Sequence, residues 1–183
     1  EGTMMVKDIN HGEVAAFASY STDTYQANEF TSVNGVIFFI ANDGTNGYGL
    51  WKSDGTEAGT MMVKDINPSR ILPYSLNDEI INFHGTIFFA EDNGISGCEL
   101  WKSDGTEAGT LMVKDINPGP EVSNPHSFTE VGGTLFFIAY NSTNGFALWK
   151  SDGTESGTIM VKVLITEMYP YPDNLTEVNC TLF

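Results

Sequence analysis

Trp51–Pro68 reads WKSDGTEAGTMMVKDINP and Trp101–Pro118 reads WKSDGTEAGTLMVKDINP, so the two stretches differ only at Met61 against Leu111. A third copy, Trp149–Val163, reads WKSDGTESGTIMVKV, and a partial one, Gly2–Asn10, reads GTMMVKDIN. The glycines before the last strand of each copy, Gly2, Gly59, Gly109 and Gly157, are 57, 50 and 48 residues apart. A second half-motif recurs in step: FTSVNGVIFF from Phe30, INFHGTIFF from Ile81, FTEVGGTLFF from Phe128 and LTEVNCTLF from Leu175. Self-similarity at a period of about 45–50 residues, with several short strands in each period, marks a propeller or a similar array.

Each unit reads as four strands, here A to D. In the first, A is Phe30–Val33 and the Asn34-Gly35 pair turns it into B, Val36–Ala41. B is apolar on both faces and is expected to be buried on both sides. C is Tyr48–Lys52, and Asp54-Gly55 turns it into D, Thr60–Ile66. Strict alternation in D puts Met62, Lys64 and Ile66 on one face and Val63 and Asp65 on the other. No stretch has a helical period. The expected fold is all-β, a β-propeller-like array of four-stranded antiparallel blades with about 3.75 repeat units. The blades fall at 28–67, 79–117 and 127–163, with residues 1–10 as strand D of a preceding blade and 174–183 as the start of a further one.

Composition narrows the function. The chain has 183 residues, 24 acidic against 8 basic, and a net charge of -16. Such a surface repels nucleic acid and anionic membranes. The longest apolar run, Val36–Ala41, is a buried strand and too short to span a bilayer. No basic-then-apolar leader opens the sequence.

The recurring Gly49–Thr56, Glu99–Thr106 and Ala147–Thr154 segments, each followed by a second Gly-Thr, resemble the ELWxxDGT repeat proteins. The resemblance covers nearly the whole chain. It implies a propeller-like fold and a secreted or surface setting, and it brings no activity. Gly49 and Ala147 stand where the motif has Glu.

The candidate chemistry is sparse. His11, His84 and His126 occupy non-equivalent repeat positions and read as surface histidines without ligand or catalytic spacing. No nucleophile elbow or phosphate loop occurs, so no catalytic residues are expected and the chain reads as a non-enzyme without a cofactor. The B–C loops offer oxygen ligands at Asp43 and Asp92, weak calcium candidates because the third loop, Tyr140–Asn144, has no acid. Trp51, Trp101 and Trp149 are candidate sugar-stacking platforms or, sitting mid-strand beside leucine, blade packing. All seven lysines, at 7, 52, 64, 102, 114, 150 and 162, hold repeat positions. They suggest ladders with Asp residues across blades, or solvated edge charges. Asn141, Asn174 and Asn179 head Asn-X-Ser/Thr sequons in expected loops or turns, the signature of a secreted glycoprotein. Cys98 replaces Tyr48 and Phe146, and Cys180 replaces Gly35 and Gly85. These positions lie on opposite faces of a propeller, which disfavours an intrachain bridge and leaves an intermolecular one between copies.

The chain thus reads as D, three ABCD units, then A and part of B. One chain does not close four regular blades, so another copy or the rest of a longer repeat chain is the expected partner. The function expected is an extracellular structural repeat protein that self-assembles, as a filament or surface fibre. The alternative is a lectin-like propeller that binds glycans.

Overall fold

Left-handed two-residue turns cut the chain into hairpins: Asn34-Gly35 (φ 51° and 83°), His84-Gly85 (52° and 85°) and Gly132-Gly133 (57° and 78°). Positive φ at both central residues gives the turn whose twist matches paired strands. These turns join β1 (Thr31–Val33) to β2 (Val36–Asn42), β5 (Ile80–Phe83) to β6 (Thr86–Asp92), and β9 (His126–Val131) to β10 (Thr134–Asn141). The computed structural model describes residues 2–10, 30–68, 79–166, 172–178 and 181–182.

Each sheet is completed by strands C and D. These are β3 (Tyr48–Ser53) and β4 (Met61–Asp65), β7 (Cys98–Ser103) and β8 (Leu111–Lys114), and β11 (Gly145–Ser151) and β12 (Ile159–Ile165). All three sheets are antiparallel and run in sequence order from A to D. A two-stranded piece, β13 (Glu177–Val178) and β14 (Thr181–Leu182), follows. The A strands lie side by side from blade to blade, β1 against β5, β5 against β9 and β9 against β13. The fold is therefore all-β and propeller-like, with A innermost and D outermost, and no helix occurs among the described residues.

Strand B is buried over most of its length, Phe38 to Asn42 and Ile87 to Asp92 without a break, but the expected burial of both faces fails at its start, where Ile37 is exposed. Strand D departs from strict alternation. Leu50 pairs with Lys64 but Trp51 pairs with Met62, leaving Val63 as a bulged extra residue, and the same slip follows Leu100 and Leu148. A bulge re-aims the side chains around it. Val63 and Ile66 consequently enter one core cluster, although a regular strand would put them on opposite faces.

The core lies between blades. Phe38, Ile40, Leu50, Val63 and Ile66 of the first blade pack on Ile80, Ile87, Phe89 and Trp101 of the second. Phe83, Phe88, Leu100, Val113 and Ile116 of the second pack on Leu135, Phe137, Ala147 and Trp149 of the third. Each blade thus has a leading face built from its C and D strands and a trailing face centred on its tryptophan. The trailing face of the first blade is covered by the N-terminal segment, whose Ile9 packs on Phe39, Ala41 and Trp51.

Candidate assembly face

The repeated Ser-Asp-Gly-Thr-x-x-Gly-Thr turn is a closed hydrogen-bond circuit. In the first blade the Asp54 carboxylate accepts from the Thr56 amide (2.9 Å) and hydroxyl (2.7 Å). Thr56 Oγ1 accepts from the Gly59 amide at 2.9 Å, and the Thr60 hydroxyl donates to the Thr56 carbonyl at 2.7 Å. Ser53 and Thr60 share a buried hydroxyl pair at 2.7 Å. The second and third blades repeat the circuit. The Thr56 hydroxyl, then its amide, hold the Asp54 carboxyl below the usual carboxylate range. A Cβ on Gly59 would run into that carboxylate, which explains the glycine at 59, 109 and 157.

The turns receive the lysines. Lys52 Nζ donates to the carbonyl of Gly105 in the next blade at 2.9 Å, and Lys102 to that of Gly153 at 2.7 Å. A second row comes from strand D and from residues 2–10, which form no strand where a strand D was expected: Lys7 to Thr60 and Lys64 to Thr110, both at 2.8 Å, and Lys114 to the Glu155 carbonyl at 3.3 Å. These lysines stitch one blade's backbone to the next, and in strand C the expected lysine–aspartate ladder accompanies the bond, with Lys52 acting as a favourable charge on Asp104 and Lys102 on Asp152 of the following blade. An ammonium with three donors suits a carbonyl at the tip of a tight turn. Phe38 and Phe88 complete the seam, their rings about 3.1 Å from where a Cβ would stand on Gly105 and Gly153.

The third blade repeats this leading face without a cover. Val63 and Val113 are 8% and 6% exposed, whereas their counterpart Val161 is 48% exposed. Ile66 and Ile116, at 6% and 2%, correspond to Leu164 at 41%. Phe136 and Leu148 are half-buried, while Phe38, Phe88, Leu50 and Leu100 are buried. Among the described residues no acceptor stands opposite Lys150 or Lys162. The face thus combines an apolar surface of core composition with two cations at fixed repeat positions.

Trp51, Trp101 and Trp149 are buried, and the first two donate their indole N–H to Ala41 (3.1 Å) and Glu91 (3.0 Å). Enclosed rings do not stack on sugars, so their role is packing between blades. Asp43 and Asp92 are not equivalent: Asp43 corresponds to Asn93, and Asp92 to Asn42. Asp43 closes its own loop by accepting from the Thr45 and Asn46 amides, and Asp92 by accepting from that of Gly94. Burial pushes the Asp43 carboxyl up, but the amides of Asn46 and Thr45 outweigh it and hold the group low.

Cys98 is fully buried, and enclosure removes it from bridging to another chain; Cys180 lies outside the described residues. Asn141 ends strand β10 instead of lying in a loop, and its amide nitrogen donates to the Ile116 carbonyl at 2.6 Å. Asn174 is exposed, whereas Asn179 and His11 lie outside the described residues. His84 is exposed in its turn, 3.4 Å from Glu130. His126 is not a surface residue. It is buried, with its ring nitrogens 2.8 Å from the Asn124 carbonyl and 2.9 Å from that of Pro172.

Two features escape the repeat pattern because they are not repeated. One is a cleft of about 270 Å³ beside the inner strands, lined by Glu79, Ile80, Ser127, Phe128, Asp173 and Asn174 among others. Ser127 has φ 55° and donates to Asp173 at 2.6 Å, and the Phe128 amide donates to Glu79 at 3.0 Å. The other is Glu99, fully buried, where the first and third blades have Gly49 and Ala147.

No family model and no curated protein matches the chain. Among solved structures it is similar to an alpha-L-arabinofuranosidase from Clostridium thermocellum. The match has 11% identity and a TM-score of 0.27, and covers 77% of this chain and 72% of that one. That neighbour is an enzyme by name, so the expectation of a non-enzyme is withdrawn. A likeness this distant transfers no activity or substrate.

Proposed function

We propose that this chain is an extracellular structural repeat protein that self-assembles by setting blade on blade, building an array or filament. One observation carries the reading. The leading face of the third blade keeps the apolar residues and both lysines that the two internal seams consume, and it keeps them exposed. An apolar patch rimmed by charge is the usual surface of an interaction site. The strand-C lysine bond is the same at both internal seams, which favours head-to-tail contacts, the kind that propagate. The resemblance to ELWxxDGT repeat proteins and the exposed sequon at Asn174 support the extracellular setting. Light scattering across a concentration series, with negative-stain microscopy, tests the reading: oligomers or filaments support it, and a monomer at every concentration rejects it.

The inner-strand cleft supports a second reading, a carbohydrate-binding adhesion module. Its hydroxyls and carboxylates beside Phe128 offer hydrogen bonds and one apolar face, a combination suited to a sugar ring. Calorimetric titration with neutral saccharides tests it. Saturable heat that Ser127→Ala removes supports this reading, and no heat rejects it.

A further inference from the structure

The cleft beside the inner strands lies where the repeat diverges. Glu79, Ser127 and Asn174 hold the same repeat position, the residue before strand A, yet they are three different residues in a chain whose C–D turns are almost identical. All three line the same cleft of about 270 Å³. Its rim is fixed by hydrogen bonds between successive repeats. The Phe128 amide donates to Glu79 at 3.0 Å and the Ser127 hydroxyl to Asp173 at 2.6 Å. The Asn174 amide donates to Ser127 Oγ and the Thr129 hydroxyl to the Leu175 carbonyl, both at 3.2 Å. Phe128 forms an apolar wall and is braced by Phe137, their ring centroids 5.8 Å apart. A cleft held in this way is formed before its ligand arrives, which lowers the ordering cost of binding.

The lining selects by charge as well as shape. It carries two carboxylates, Glu79 and Asp173, and no lysine or arginine among the described residues. The Ser127 hydroxyl, against the opposing burial, and then the Asn174 amide hold the Asp173 carboxyl below the usual carboxylate range, so it is ionised at neutral pH. The charge of His126 adds a smaller effect, but its ring nitrogens meet the Asn124 and Pro172 carbonyls and it does not line the cleft. Ionised carboxylates only accept hydrogen bonds, and the net charge of -16 deepens the negative field. An anionic ligand is repelled there, whereas an ammonium brings three donors and the opposite charge. The volume falls below the roughly 300–1,000 Å³ of sites for drug-sized ligands, which leaves room for one ring. We infer that the cleft binds an amino sugar, a single hexosamine ring whose free ammonium meets Asp173 and Glu79 while its C–H face rests on Phe128. This inference rests on the carbohydrate reading of the cleft and names the class of sugar.

The test is calorimetric titration of the full chain with D-glucosamine, D-glucose, N-acetyl-D-glucosamine and D-glucuronate, at a pH where the glucosamine amine is charged. Saturable one-to-one binding of glucosamine is expected. Glucose and N-acetyl-glucosamine should bind more weakly by roughly tenfold or more, since neither brings a charge-assisted hydrogen bond, and glucuronate should give no heat. Asp173→Asn should reduce glucosamine to the affinity of glucose and leave glucose unchanged, and Glu79→Gln should shift it the same way. Near-UV circular dichroism checks that each variant is folded, and the ligand series on the wild type decides even if one is not. Equal affinity for glucosamine and glucose overturns the inference and keeps the carbohydrate reading, as does glucosamine binding that both folded variants leave unaltered. Ethanolamine bound as tightly as glucosamine overturns it too, because the ring then contributes nothing. No heat from any of the four sugars overturns the inference and the carbohydrate reading together.

Discussion

Lys52 Nζ lies 2.9 Å from the carbonyl oxygen of Gly105, a residue 53 positions later in the chain and one blade away. The bond joins the middle of strand C to the tip of the next C–D turn, and Lys102 makes the same bond to Gly153. It gives Lys7, Lys52, Lys64, Lys102 and Lys114 a common reason for their positions: they work as seam donors.

Removing a seam donor should therefore cost more than removing its uncovered counterpart. Lys52→Met should lower stability by about 1–2 kcal/mol in urea denaturation, the value of a partly buried charged hydrogen bond. Lys150→Met should change the monomer's stability by less than about 0.5 kcal/mol. Equal effects would show that the lysines do not act through the seam.

The turn circuit gives a second expectation. Gly59→Ala should destabilise by about 1–3 kcal/mol, because its Cβ meets the Asp54 carboxylate. Adding Asp54→Ala removes the obstruction, so the double variant should be more stable than the sum of the single changes predicts. Strict additivity in a double-mutant cycle would contradict the steric account.

Trp101 and Trp149 provide a matched pair. Trp101 donates to the Glu91 carbonyl at 3.0 Å, while the buried Trp149 N–H has no partner. Replacing each by Phe removes similar apolar volume, so the difference isolates the hydrogen bond. Trp101→Phe should cost about 1 kcal/mol more than Trp149→Phe. The reverse order in chemical denaturation would refute this.

Glu99 should make stability depend on pH. Burial is the first cause of its pKa rising to about 7, against opposing hydrogen bonds from Ser123 (2.7 Å) and the Ile116 amide (2.7 Å). Its Oε1 is buried without a partner. The native pKa lies above the unfolded value near 4.5, so the native state holds this proton more tightly. The resulting stabilisation is full below pH 4.5 and is lost as pH rises through 7. The loss is on the order of 3 kcal/mol. Glu99→Gln should flatten this dependence between pH 5 and 8 in denaturant melts, and an unchanged profile would count against it.

The repeat was legible because its constraints are local and recur. Asp54-Gly55 and Asn34-Gly35 announce their turns, and Val36–Ala41 announces a strand enclosed on both sides. The bulge at Val63 was not legible, since nothing in MMVKD distinguishes a slipped register from a regular one until the next blade demands both Val63 and Ile66. The lysines were visible as a pattern, but their acceptors are backbone carbonyls, which leave no mark in sequence. Glu99, buried His126 and the cleft at Ser127 occur once each, so the periodicity that exposed the rest hid them. The open face of the third blade is legible only by comparing one position across three environments: Val63, Val113 and Val161 are the same residue, yet only the last is exposed.

That comparison makes sedimentation velocity on the wild-type chain and on a Val161→Asp, Leu164→Asp variant the most direct test of the account. The wild type should associate with rising concentration, and the variant should sediment as a folded 20.0 kDa monomer at every concentration. A wild type that is itself monomeric throughout, or a variant that associates as strongly, would contradict it.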